Sequence, residues 1–182
     1  MIERIAEAIS PALENSIIRQ IRRNHGLEHA TVHILSGNIQ NLRVAGRSSN
    51  NGFMLVGDVP TEKVESAAND ALKRLQNGEH KLAVHPHCGT NLATTGFMTT
   101  LVGLVGFGWN GKRLSFDRLS WVILMMTLAV IFSRPLGTDI QRHITTKGDI
   151  GDLEIVKVNR RQIRWWFGRE PIIIHNITTR NG

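Results

Sequence analysis

A single cysteine among 182 residues excludes an intramolecular disulfide framework, so nothing in the chain calls for an oxidising compartment. Charge is absent from two long stretches: no Asp, Glu, Lys or Arg occurs between Lys81 and Lys112, nor between Arg118 and Arg134. Aromatic residues make up only 5%, and no nucleic-acid motif interleaves them with the basic residues, which argues against a nucleic-acid partner. The N-terminus, MIERIAEAIS, has acids among its apolar residues and lacks the pattern of a signal peptide. Internal repeats and low-complexity tracts are missing as well.

What is present is enough apolar content, 41%, for a packed core, in a chain of 20.3 kDa that suits one domain or one domain plus a membrane hairpin. The mean hydropathy of −0.12 averages polar flanks with the uncharged stretches. The net charge of +7 is also uneven: residues 1–90 carry 10 basic and 9 acidic side chains, residues 91–182 carry 12 and 6. Positive charge therefore accompanies the apolar segments, where anionic lipid headgroups are the fitting partner.

Ile2, Ile5, Ile9, Leu13, Ile17 and Ile21 recur at helical spacing, and Pro11 divides them into two short amphipathic helices. The second runs through Leu27, Ala30, Ile34 and Leu35 to a stop at Ser36-Gly37-Asn38. Extended segments are expected at Asn41 to Ala45 and Gly52 to Val56, with Gly46 to Asn51 as a loose loop. Pro60 opens a helix that ends at Asn77-Gly78, and Leu82 to His85 reads as a strand. Further strands are expected at Leu153 to Val158 and Ile172 to Ile174, flanking a basic aromatic stretch, Arg160 to Phe167, suited to a headgroup zone or to a hairpin on the soluble unit. The fold class is α+β: a metal-motif unit over 1–90, a two-helix transmembrane hairpin over 91–134 and a β-containing tail over 135–182.

The 18 residues Leu92 to Trp109 would span ~27 Å as a helix, close to a bilayer's hydrocarbon thickness. Gly96 with Thr100, and Thr99 with Gly103, give the small-residue spacing that brings membrane helices together and makes a homodimer plausible. Leu119 to Ser133 reaches only ~22 Å and needs Arg118 and Arg134 to snorkel. The alternative is a helical hairpin buried in a soluble core. Lys73, Arg74, Lys81, Arg134, Arg142 and Lys147 flank the spans against Lys112, Arg113 and Arg118 in the connection, which favours cytoplasmic termini for an integral membrane protein.

The chemistry concentrates in His25-x-x-Glu28-His29. On a helix, positions 25 and 29 share a face and 28 lies beside both, so two imidazoles can meet one metal ion while the carboxylate serves as general base. In isolation the motif is equally a solvated helix face. A second cluster, His85-Pro86-His87-Cys88-Gly89, holds the lone cysteine, and with His33 five of the eight histidines fall in two short windows. Imidazole nitrogen and thiolate together suit zinc, with another divalent metal as the alternative. The candidate ligands are His25, His29, Cys88 and His85, and the candidate catalytic residue is Glu28. With His85 outside the shell a position stays open for water; with His85 inside, the shell closes and the metal is structural. His33 could replace His25 in a shifted set or line a core edge.

His25-Gly26-Leu27-Glu28-His29-Ala30-Thr31 followed by His85-Pro86-His87-Cys88-Gly89-Thr90-Asn91 resembles a group of uncharacterised bacterial and cyanobacterial membrane proteins that pair H-x-x-E-H with H-P-x-C-G-T. The resemblance covers about residues 19–150 and implies a membrane location and metal-dependent chemistry without naming a reaction. The helix motif is also similar to that of pitrilysin-type inverzincins, whose distant glutamate ligand and large repeated domains have no counterpart in a chain this short.

Two functions are expected from these patterns. The first is a membrane-anchored zinc-dependent hydrolase acting on a small-molecule, peptide or lipid-linked substrate near the bilayer. The second is a non-enzymatic membrane assembly or scaffold protein with a structural metal site.

Overall fold

The computed structural model describes residues 1–108, 116–164 and 171–181. The chain forms two compact units, one of residues 1–85 with 142–182 and one of residues 86–141. The helical unit is thus inserted into the α+β unit.

In the α+β unit, α1 (Ile2–Ala8) and α2 (Ser10–Leu13) precede the long α3 (Ser16–Asn38). Asn15 caps α3, its side chain accepting a hydrogen bond from the Ile17 amide at 3.1 Å. The hairpin β1 (Ala45–Ser49) and β2 (Gly52–Val56) leads to α4 (Thr61–Gln76), whose buried Val64, Ala67, Ala68, Ala71 and Leu75 form one helical stripe. A 3₁₀ turn, His80–Ala83, closes the first segment. After the insertion, β3 (Glu154–Ile163) and β4 (Ile172–Arg180) return to the sheet.

The sheet order is β1-β2-β4-β3, all neighbours antiparallel. Alternation along β4 buries Ile173, His175, Ile177 and Thr179 on one face, and Phe53 and Leu55 of β2 share it. Leu27, Ala30 and Leu35 of α3 and the α4 stripe cover that face, with Ile150 and Leu153 completing the core. Side chains on the other face of the sheet, Arg47, Asn159 and Arg161 among them, are exposed.

The second unit contains α5 (Gly89–Gly103), a π turn Leu104–Gly108 and α6 (Phe116–Ile140), with a further π turn Gln141–Thr145 beginning at its end. α5 and α6 pack together. Thr95 and Ser133 hydroxyls bond at 2.6 Å, and the Gln141 amide donates to Asn91 Oδ1 at 2.9 Å. Thr94, Thr95 and Thr99 return their hydroxyls to carbonyls one turn back, so an apolar helix carries them without loose donors. Outside this seam the unit is apolar and exposed: Leu92, Phe97, Leu104, Trp121, Ile131 and Phe132 all face outward.

Several expectations need correction. Of the two expected spans of a transmembrane hairpin, among the described residues one helix, Phe116–Thr145, is long and apolar enough to cross a membrane; α5 has 15 residues before its π turn. Pro135 lies inside α6 rather than ending it, a placement that apolar helices accept where neighbours re-satisfy the freed carbonyl. Within the unit Gly103 stands against Met126, Gly106 against Val122 and Gly137 against Asn91, while Gly96 meets open space. Leu82 to His85 is no strand, since the 3₁₀ turn occupies its start. The first hairpin strand is Ala45–Ser49, which shares Ala45 with the expected strand and otherwise lies in the segment expected as a loop, because an exposed edge strand needs no apolar alternation. Arg160 to Ile163 belong to β3, while residues 165–167 of the basic aromatic stretch lie outside the described residues.

Candidate metal centre

α3 positions the motif. Leu27, Ala30 and Thr31 are fully buried and lock the helix against the core, which fixes the rotation that presents His25, Glu28 and His29 together. Gly26 allows a close approach: a Cβ there would lie 2.5 Å from the Lys147 carbonyl oxygen. The His25 and His29 rings meet edge to face with centroids 4.4 Å apart.

Backbone carbonyls set the tautomers of both rings. His25 Nδ1 lies 2.9 Å from the Thr145 oxygen and His29 Nδ1 lies 2.8 Å from the Ala83 oxygen. A carbonyl only accepts, so each Nδ1 carries a proton, and the neutral form of each ring has its lone pair on Nε2, the tautomer of a metal-ligating imidazole with an oriented ring. His33 is held the other way, its Nε2 donating to the Val84 oxygen at 2.9 Å. His85 packs edge-on against His33 with centroids 4.6 Å apart and stands 6.0 Å from the His29 ring.

Glu28 is 6% exposed, and its Oε2 is buried without a hydrogen-bond partner among the described residues. Burial pushes its carboxyl up to about 7, against the opposing pull of the His25 charge and of a Ser48 hydrogen bond. β1 backs the carboxylate: at Gly46 any Cβ would overlap Glu28 Oε1 and Cδ. A buried carboxylate oxygen left unpaired costs about 1–3 kcal/mol or more.

Cys88 caps α5, its Sγ accepting from the Thr90 amide at 3.4 Å. It follows His85 by three residues, which limits their separation to about 10–11 Å of extended chain. His25 and His29 of the α+β unit and Cys88 of the helical unit are the His and Cys side chains that could hold a metal ion. Soft thiolate with two imidazole nitrogens is a donor set that fits zinc.

Sequence reasoning missed Gly46, Ser48 and the carbonyls of Ala83 and Thr145. Backbone oxygens leave no mark on residue type, and Gly46 and Ser48 were indistinguishable from turn residues. No solved structure matches this chain. An uncharacterised protein of the cyanobacterium Picosynechococcus sp. (strain PCC 7002) is 36% identical over 139 residues, 69% of this chain, and the match spans 65% of that relative's length. Residues 20–158, which carry His25, Glu28, His29, His85 and Cys88, match the family described as a domain of unknown function, DUF6391, and the chain belongs to that family.

Proposed function

We propose that this protein is a membrane-anchored, zinc-dependent hydrolase with His25, His29 and Cys88 as ligands and Glu28 as general base. The observation that carries the reading is Glu28, a buried carboxylate with one unpartnered oxygen beside two imidazoles whose Nδ1–H groups are already committed to carbonyls. Three protein ligands are the number that catalytic rather than structural zinc sites use. His85 then acts from outside the ligand set, buttressing His29 and His33 through ring contacts.

A bound zinc supplies a Lewis acid for the oxygen of a scissile carbonyl or phosphoryl group. Glu28 accepts a proton from the attacking water as the water oxygen bonds to the electrophilic atom. It then passes that proton to the leaving group as the scissile bond breaks. Burial keeps the carboxylate from bulk water, so its direction is set by β1 rather than by solvent.

The bilayer is the proposed environment of α5 and α6. Their outward side chains are large and apolar, while their hydroxyls and amides are bonded within the pair, the division expected of lipid-facing helices. Termini on the cytoplasmic side follow from the basic residues flanking the helices.

A second reading, a scaffold with a structural metal, draws on the tethering of α3 to residues 83–85 through His29 and His33. Zinc content of the purified full chain and of Glu28→Gln separates the two. The hydrolase reading expects zinc in both and hydrolysis in the first alone. Equal hydrolysis by both proteins would remove Glu28 from its role, and a fall in melting temperature on chelation with no hydrolysis of any ester, amide or phosphoester would favour the scaffold.

A further inference from the structure

The edge of β1 lies against Glu28, and its backbone is set out for pairing. β1 is an outer strand of the sheet, and among the described residues no element pairs with its free side. Ser49 and Gly52 close the two-residue turn Asn50-Asn51 as a hydrogen-bonded pair. Alternation then commits Arg47 and Ala45 to Met54 and Val56 of β2 and turns the N–H and C=O groups of Gly46 and Ser48 outward. These two residues are also the ones whose side-chain face meets Glu28.

The two edges of the sheet differ. β3 is guarded as exposed edges usually are, with a register shift between Ile155 and Lys157 and the charges of Lys157, Arg160 and Arg161. β1 keeps an unbroken register and carries a single charge, Arg47. Its sequence, Ala-Gly-Arg-Ser-Ser, offers little side-chain bulk to deflect an incoming strand.

We infer that the β1 edge docks an extended polypeptide by strand addition, which makes a peptide the substrate of the hydrolase proposed above, on which this inference rests. A strand added at the usual spacing of about 4.8 Å sets its backbone alongside Gly46 and Ser48 and within reach of the Glu28 carboxylate, whose buried Oε2 has no hydrogen-bond partner among the described residues. Main-chain pairing supplies the affinity, so the substrate is recognised by its extended backbone. In the reaction the water oxygen bonds to the peptide carbonyl carbon and the C–N bond breaks. Glu28 relays a water proton to the amine, and the products are a carboxylate and an ammonium group.

The test uses the zinc-loaded full chain in detergent micelles. A mixture of randomised decapeptides is incubated with it and products are read by mass spectrometry, and a cleaved sequence is resynthesised for binding to Glu28→Gln. Amide hydrogen exchange at Gly46 and Ser48 is expected to slow about tenfold at a peptide concentration ten times Kd, with Arg47 and Ser49 unchanged. The same peptide with alternate N-methyl amides, which cannot pair as a strand, is expected to give no protection. Zinc uptake with no peptide cut and no protection overturns the inference and leaves the hydrolase reading standing. Protection without zinc uptake keeps β1 as a peptide dock and overturns the metal reading. Slow exchange of both amides before peptide is added, in a protein that sediments as a dimer, overturns the inference in favour of a second copy on this edge.

Discussion

Replacing Glu28 by glutamine tests whether the carboxylate is held at a cost to the metal-free fold. Burial raises its carboxyl from 4.5 to about 7, so the folded state resists ionisation that the unfolded chain undergoes freely. Below pH 4.5 the group is protonated in both states and contributes nothing. As pH climbs through the window from 4.5 to about 7 the unfolded state loses its proton first, and stability falls; above it the loss is complete. A displacement of that size corresponds to about 3 kcal/mol at 1.36 kcal/mol per pH unit. Glutamine has nearly the same shape and can keep the Ser48 contact without the charge. The chelator-treated Glu28→Gln protein is therefore expected to melt about 6–12 °C above the chelator-treated parent at pH 8.5, and at the same temperature below pH 4. Differential scanning fluorimetry of the full chain in micelles across this range reads the effect. Parallel melting curves at every pH, or a variant less stable at pH 8.5, would refute the claim that Glu28 sits desolvated and uncompensated.

Other outcomes follow from the same geometry. His29→Ala and Cys88→Ala are each expected to weaken zinc binding, measured by competition with a chromophoric chelator, by more than the roughly 10–100-fold typical of losing an outer-shell partner; unchanged affinity removes that residue from the ligand set. Gly46→Ala places a Cβ onto the Glu28 carboxylate and is expected to destabilise by about 1–3 kcal/mol, whereas in a Glu28→Ala background the same change is nearly neutral. Additive effects in that double-mutant cycle would show that the two groups do not meet. His175 is buried under Thr61, and burial, with the nearby Arg160 charge, holds it below its ordinary value against the pull of Asp58. The neutral ring's contribution is present above pH 6.5 and lost as pH falls below it, so His175→Leu is expected to flatten the acid limb of the melting profile.

How much was legible in advance varies with the kind of interaction. α3 and α4 are written as periodic apolar residues, and their ends carry the capping and stop signals that local chemistry demands. H-x-x-E-H was readable because helical geometry is known before the fold is. β1 was not readable: its residues face solvent on one side and a carboxylate on the other, so no apolar alternation marks it. The end of the second apolar segment was not readable either: the stretch Leu119 to Ser133 stops at the charge of Arg134, whereas α6 runs on through Pro135 to Ile140.

By itself the sequence determined the helices α3 and α4, the uncharged segments and the residue types able to ligate a metal, because these depend on local period and donor chemistry. The tertiary structure alone decided which ring nitrogen of each histidine carries the lone pair, because that follows from carbonyls at Ala83 and Thr145, 54 and 120 residues away. It also decided that Glu28 is desolvated and that a glycine stands behind it, because burial and close approach are properties of what packs on a residue, which no local pattern contains.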